Sequence, residues 1–224
     1  MSKRSGINLC RSLWLAGLAT TLGACGLLGG PGPEGQGSTP AMPGESQSPS
    51  VPSPELQARY DSLLARLRTS EAGDADHASA VQDLDAFSRE HPDLSGPLLT
   101  LGLVRARAGD EAGARELFDR AAQVCSRCGP VWNEIGVLTV HQGHFAEAEE
   151  AYRRAIDLEP DYAAAHYNLA ILYELYIPRP DLAVQNYEDY LQLGGDGQDV
   201  EKWLVDLRRR AGAMPKAARA EGGS

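Results

Sequence analysis

Cys125-Ser126-Arg127-Cys128 is the closest pair of thiols in the chain, and a C-x2-C spacing serves three chemistries. It can exchange disulfides, hold zinc, or close a structural disulfide. The zinc option draws on His141 and His144, which complete a C-x2-C-x12-H-x2-H string. The apolar pattern between the two pairs predicts a helix over Val131–Gln142. About a dozen residues at 1.5 Å each hold the pairs roughly 18 Å apart, too far for four ligands to share one ion. Thiol exchange wants its first cysteine at a helix N-terminus, where the dipole lowers the thiolate pKa. Both cysteines here are expected to follow the C-terminal end of the preceding helix, which favours the neutral thiol. A local Cys125–Cys128 disulfide pinning a turn is the preferred reading, and so small a closed loop adds only modest stability.

No other residue set makes a catalytic constellation. The histidines His77, His91, His141, His144 and His166 are spread along the chain with no Ser or Cys nucleophile paired to them by spacing. Each is read as a surface or turn residue. The glycines near the N-terminus lack the Gly-Lys-Ser/Thr that a phosphate loop requires. Most Asp and Glu residues belong on solvated helix faces. The expectation is a non-enzyme with no cofactor, no metal and no small-molecule substrate.

The elements that carry these residues are short amphipathic helices. Over Gly129–Tyr162 the large apolar residues Trp132, Ile135, Leu138, Phe145, Tyr152 and Ile156 recur at spacings of three, four and seven. Gly143 divides this stretch into helices over Val131–Gln142 and Phe145–Leu158, and Pro160 stops the second. Small residues at Gly136, Ala148 and Ala155 leave room for two helices to cross closely.

This stretch resembles the tetratricopeptide repeat. Trp132, Gly136, Gly143, Ala148, Tyr152, Ala155 and Pro160 fall on the family's signature positions, with Ile135 in place of its Leu and Thr139 in place of its usual Tyr. Steps of 34 residues find the same pattern before and after, with one residue inserted near Pro178. The resemblance implies an all-α helix-turn-helix solenoid over residues 55–210, with repeats near 61–94, 95–128, 129–162 and 163–197. The first repeat is degenerate, with Arg68 where a small residue belongs. A last segment, residues 199–210, carries Trp203, Leu204 and Leu207 to cap the stack. Residues 211–224 are read as a frayed tail.

In the repeat family the first helix of each pair lines a concave groove through its second, fifth, ninth, twelfth and thirteenth positions. Carried over, this predicts a partner-binding surface from Leu99, Leu103, Ala106 and Arg107, then Asn133, Val137, Val140 and His141, then Tyr167, Ile171, Glu174 and Leu175. Tyr176 joins them, because tyrosine is a common interface anchor. Val137 and Ile171 are expected to be open to solvent. The lysines of the family's carboxylate-clamp subset are missing, so an apolar helix or extended segment fits better than an acidic C-terminus. Asp181, after the prolines at 178 and 180, is placed to cap the next helix.

Residues 1–24 read as a secretory leader: Lys3 and Arg4, then an apolar run from Leu13 to Leu22, too short to span a bilayer comfortably. Leu22-Gly23-Ala24-Cys25 resembles a bacterial lipobox, which implies acylation at Cys25. Gly26 stands where an Asp would resemble an inner-membrane retention signal, favouring the outer membrane and a periplasmic orientation. Residues 25–54 form a Gly/Pro/Ser-rich tether with a mean reach of roughly 30 Å. The whole chain holds 21 basic and 31 acidic residues. Removing Lys3, Arg4 and Arg11 with a leader free of acids leaves 18 minus 31, or −13, a poor surface for nucleic acid or anionic headgroups. The overall plan resembles the pilotin-type lipoproteins of type IV pilus secretins. Its implied partners are envelope proteins in the groove and the membrane through the lipid anchor. A cell-wall enzyme adaptor, an accessory of an energy-transducing envelope complex, or a periplasmic thiol-redox protein using Cys125 and Cys128 are the alternatives.

Overall fold

A computed structural model describes residues 53–71 and 73–213. Cys25, the expected leader, nearly all of the expected tether and residues 214–224 lie outside them. The described residues form helices α1 (Pro54–Thr69), α2 (Ala75–Glu90), α3 (Ser95–Arg107), α4 (Glu111–Val124), α5 (Gly129–His141), α6 (Phe145–Leu158), α7 (Ala163–Leu175), α8 (Pro180–Gln192) and α9 (Gly197–Gly212). None of these helices is long and apolar enough to cross a membrane.

The helices pack as antiparallel pairs, α1 with α2 through α7 with α8, and each second helix also packs on the first helix of the next pair. Close approach within a pair depends on missing side chains. A Cβ at Gly136 would stand 2.5 Å from Cε1 of Tyr152, and one at Gly102 would stand 2.4 Å from Cε1 of Phe118. Phe118 and Tyr152 are buried at those crossings, where each such side chain contributes about 1.5–3 kcal/mol by leaving water. The turn from α5 to α6 runs through Gly143 at φ +77°, a left-handed conformation that costs a side-chain-bearing residue energy. Thr139, fully buried where the family prefers Tyr, satisfies its hydroxyl by donating to the Ile135 and Gly136 carbonyls at 2.9 Å each.

Two second helices carry the strongest one-sided patterns between polar outer faces. In α4 the buried face is Ala114, Phe118 and Ala121, and in α6 it is Ala148, Ala151, Tyr152 and Ala155. The first helices α5 and α7 are apolar nearly all round because they touch both neighbouring second helices and each other. Ion pairs such as Arg115–Glu147 at 2.9 Å staple the outer surface, but both partners are more than a third exposed and add little.

Helix starts and ends fall within two residues of expectation, with α5 beginning at Gly129 rather than Val131. The inserted residue near Pro178 is present: α8 starts 17 residues after α7, where α6 starts 16 after α5. Asp181 is not the cap of α8. Arg179 occupies that position, Pro180 opens the helix, and Asp181 sits in the first turn accepting from Arg179 Nη2 at 3.1 Å. That pairing helps hold the Asp181 carboxyl below its ordinary range, against the opposing effect of its partial burial. The cap segment forms as α9, which buries Val200, Leu204 and Leu207, while Trp203 meets Tyr187 at a ring distance of 5.9 Å.

Candidate functional site

The first helices α3, α5 and α7 lie side by side, α5 touching both neighbours, so their common face is a continuous strip across three helix pairs. At its centre Asn168 Nδ2 donates to Asn133 Oδ1 at 2.9 Å, and Asn133 Nδ2 donates to Glu134 Oε1 at 3.1 Å. Both asparagines are buried. A buried amide has both ends to satisfy, and Asn133 does so by linking α7 to the Glu134 carboxylate. Burial pushes Glu134 up to about 7, against the opposing pull of the Asn133 hydrogen bond and the Arg107 charge. Tyr162 is raised by burial first, then by the negative charges of Glu134 and Glu159.

Beside this relay Val137, Val140, Tyr152, Asn168, Ile171, Leu172 and Tyr176 line a narrow cleft between α5 and α7. Its volume is about 10 Å³, room for roughly one water and no side chain. The expected solvent exposure of Val137 and Ile171 is therefore corrected: they are 8% and 4% exposed. First helices of adjacent pairs approach so closely that these side chains interlock instead of standing in an open groove. Asn133, likewise expected on an open face, is buried.

The remaining expected residues divide. Leu99 and Leu103 are partly buried against the core that Leu98, Phe118 and Ile135 share, and His141 is exposed at the end of α5. Tyr167 packs on Tyr187 and Tyr190 at ring distances of 5.8 and 4.8 Å, turned toward α8. Tyr176 ends α7, stacks on Phe145 at 4.8 Å and forms one wall of the cleft. Leu175 beside it is 40% exposed. Glu134 and Asn168 were absent from the expected set. The signal for Glu134 was present, since it is the one carboxylate in the otherwise apolar segment GPVWNEIGVLTVH. Asn168 falls outside that set because it stands one position after Tyr167, the family's groove position.

Two chemical expectations change. His166 is buried rather than a surface residue, with Nε2 3.0 Å from the Pro160 carbonyl and Nδ1 3.7 Å from Asp189. Both cysteines follow α4 as expected, with Cys125 as its C-cap, but Cys128 also occupies the N-cap position of α5, so the surroundings expected for its thiol change. Their Cα atoms are 5.5 Å apart with the sulfurs in bonding contact, inside the range a disulfide spans. His141 stands at the opposite end of α5 from Cys128. Among the described residues no group of three or more His, Cys, Asp or Glu side chains is gathered for a metal.

Paired helices stacked in this order, with this spacing and these small crossing residues, form a tetratricopeptide-repeat solenoid. The TPR repeat family model matches residues 138–175. The chain is 33% identical over 73 residues to the peroxisomal targeting signal receptor of Saccharomyces cerevisiae, a match covering 33% of this chain and only 12% of that relative. In three dimensions it is similar to PilF of Pseudomonas aeruginosa, with a TM-score of 0.59 and 21% identity over 69% of this chain and 68% of that one. It is also similar to MamA of Desulfovibrio magneticus, with a TM-score of 0.54 and 16% identity over 75% and 91% of the two chains. These structural likenesses are likenesses of fold.

Proposed function

We propose that the protein is a lipid-anchored scaffold that captures a segment of another envelope protein on the strip formed by α3, α5 and α7, and so helps assemble an envelope complex. The observation that carries the reading is the strip itself. Across adjacent repeats it carries the linked row Asn168, Asn133 and Glu134 beside apolar side chains, with Leu175 open to solvent at its edge. The lipobox-like Leu22-Gly23-Ala24-Cys25 supplies the anchor, and the acylated Cys25 holds the repeats at the outer membrane, facing the periplasm. A secretin or pilus assembly is the favoured setting on the overall plan of leader, tether and repeats. A cell-wall enzyme or an energy-transducing complex would use the same strip in the same way. The protein acts by binding and not by catalysis.

Cys25→Ser should release the protein from membranes or block leader processing. A photocrosslinker at Leu175, on the exposed rim of the strip, should capture a partner from intact envelopes, and one at Val205, exposed on α9, should not. Unchanged membrane fractionation sinks the anchor. Capture from Val205 alone moves the binding face off the strip.

One observation favours a second reading. Cys128 at the N-cap of α5 is where a helix dipole stabilises a thiolate, which suits a thiol-exchange protein. A reduction potential in the range of structural disulfides, resistant to glutathione, removes this reading.

A further inference from the structure

Glu134, on the strip, is held differently from the carboxylates of the outer surface that pair with arginines. Asp119, Glu147 and Glu90 pair with arginines on exposed faces. Glu134 is half-buried and receives its hydrogen bond from a neutral amide, Asn133, which is itself held by Asn168 from the next repeat. Two buried side chains on two helices thus fix the direction of one carboxylate. The charged and titratable groups that act on this neighbourhood are Arg107 at the end of α3, and Tyr162 and Glu159 in the turn between α6 and α7. Asn168 belongs both to this relay and to the wall of the apolar cleft with Val137, Ile171 and Tyr176. An acceptor for positive charge therefore adjoins an apolar seam whose outer edge is Tyr176, beside the exposed Leu175.

We infer that the strip selects a partner segment bearing a lysine or arginine next to an apolar side chain. The cation sits on Glu134, and the apolar neighbour lies over the outer edge of the seam, at Tyr176 and the exposed Leu175. This rests on the reading of the α3–α5–α7 strip as the binding face, and it names the chemistry of the occupant. The net charge of −10 for the whole chain draws basic segments and repels acidic ones. Displacing water from Glu134 without supplying a cation leaves a desolvated carboxylate, which penalises an apolar segment that lacks one. A cation on Glu134 favours its ionised form, and burial keeps this group near 7 before binding. Binding below neutral pH therefore expels a proton.

The test uses the full chain in detergent and three labelled, end-blocked nonapeptides of alternating leucine and serine whose central residue is Lys, norleucine or Glu. The Lys peptide should bind roughly tenfold tighter than the norleucine peptide by fluorescence anisotropy. Glu134→Gln should erase that preference, and Glu134→Lys should turn it toward the Glu peptide. Calorimetry at pH 6 in two buffers of different ionisation enthalpy should register proton release for the Lys peptide, and none with Glu134→Gln. Lys and norleucine peptides that bind equally well, and crosslink to the Tyr176 rim, overturn the cation site while leaving the strip as the binding face. Peptides that fail to bind, or that crosslink only away from α3, α5 and α7, overturn both.

Discussion

Replacing Val137 by Glu separates the interlocked seam seen between α5 and α7 from an open groove. Val137 is 8% exposed and shares its cleft with Tyr152, Ile171 and Leu172, all at 4% or less. A carboxylate there gains at most about one water from the 10 Å³ cleft. Truncation alone, as in Val137→Ala, removes two methyl groups and should cost about 1.5 kcal/mol at roughly 0.8 per group. An uncompensated buried charge raises the loss to about 3–5 kcal/mol. For a domain of this size each kcal/mol moves the melting temperature by about 2–4 °C, so Val137→Glu should melt roughly 10 °C lower. His141→Glu, on the exposed end of the same helix, should stay within about 0.5 kcal/mol of wild type. Urea denaturation of the three variants measures the differences. The Val137→Glu deficit should also shrink toward pH 5, because protonation removes the buried charge. A loss under about 1 kcal/mol, independent of pH, would refute the interlocked seam and restore the open groove.

Three further outcomes follow from the packing and the electrostatics. Gly136→Ala places a methyl 2.5 Å from the buried Tyr152 ring. Overpacking of about 1–3 kcal/mol should outweigh the roughly 1 kcal/mol gained in helix propensity, and a stability equal to or above wild type in urea argues against that crossing. The Cys125→Ser/Cys128→Ser double variant should keep its helical circular dichroism and lose roughly 2 kcal/mol, the loop-closure entropy of a four-residue ring. An unfolded double variant would mean that the bridge does more than pin the turn. For Glu134 the folded value of about 7 lies above the ordinary 4.5, so between those values the folded state holds more protons than the unfolded state. Wild-type stability should accordingly fall, relative to Glu134→Gln, as pH rises from about 4.5 to about 7. Parallel pH profiles for the two proteins would remove the buried carboxylate from the account.

Helix order, the 34-residue phase and the small crossing residues were legible in the sequence because each is a local or periodic constraint. Gly143 breaks a helix wherever it stands, and Tyr152 opposite Gly136 repeats at matching positions in Phe118 opposite Gly102. The extra residue before α8 could be counted from Pro178 for the same reason. Most of the apolar positions on first helices were legible too, as a list. Their exposure was not, because it depends on how closely α5 approaches α7, a distance between residues some 35 apart in the chain. That approach buries Val137 and Ile171, joins Asn133 to Asn168, and turns Glu134 from one acid among 31 into a carboxylate fixed in direction beside an apolar seam. Cys128 tells the same story over a shorter span. Sequence places it after one helix, as it is, and the backbone also makes it the N-cap of the next. Which end of a helix dipole a thiol feels is decided by where the turn closes.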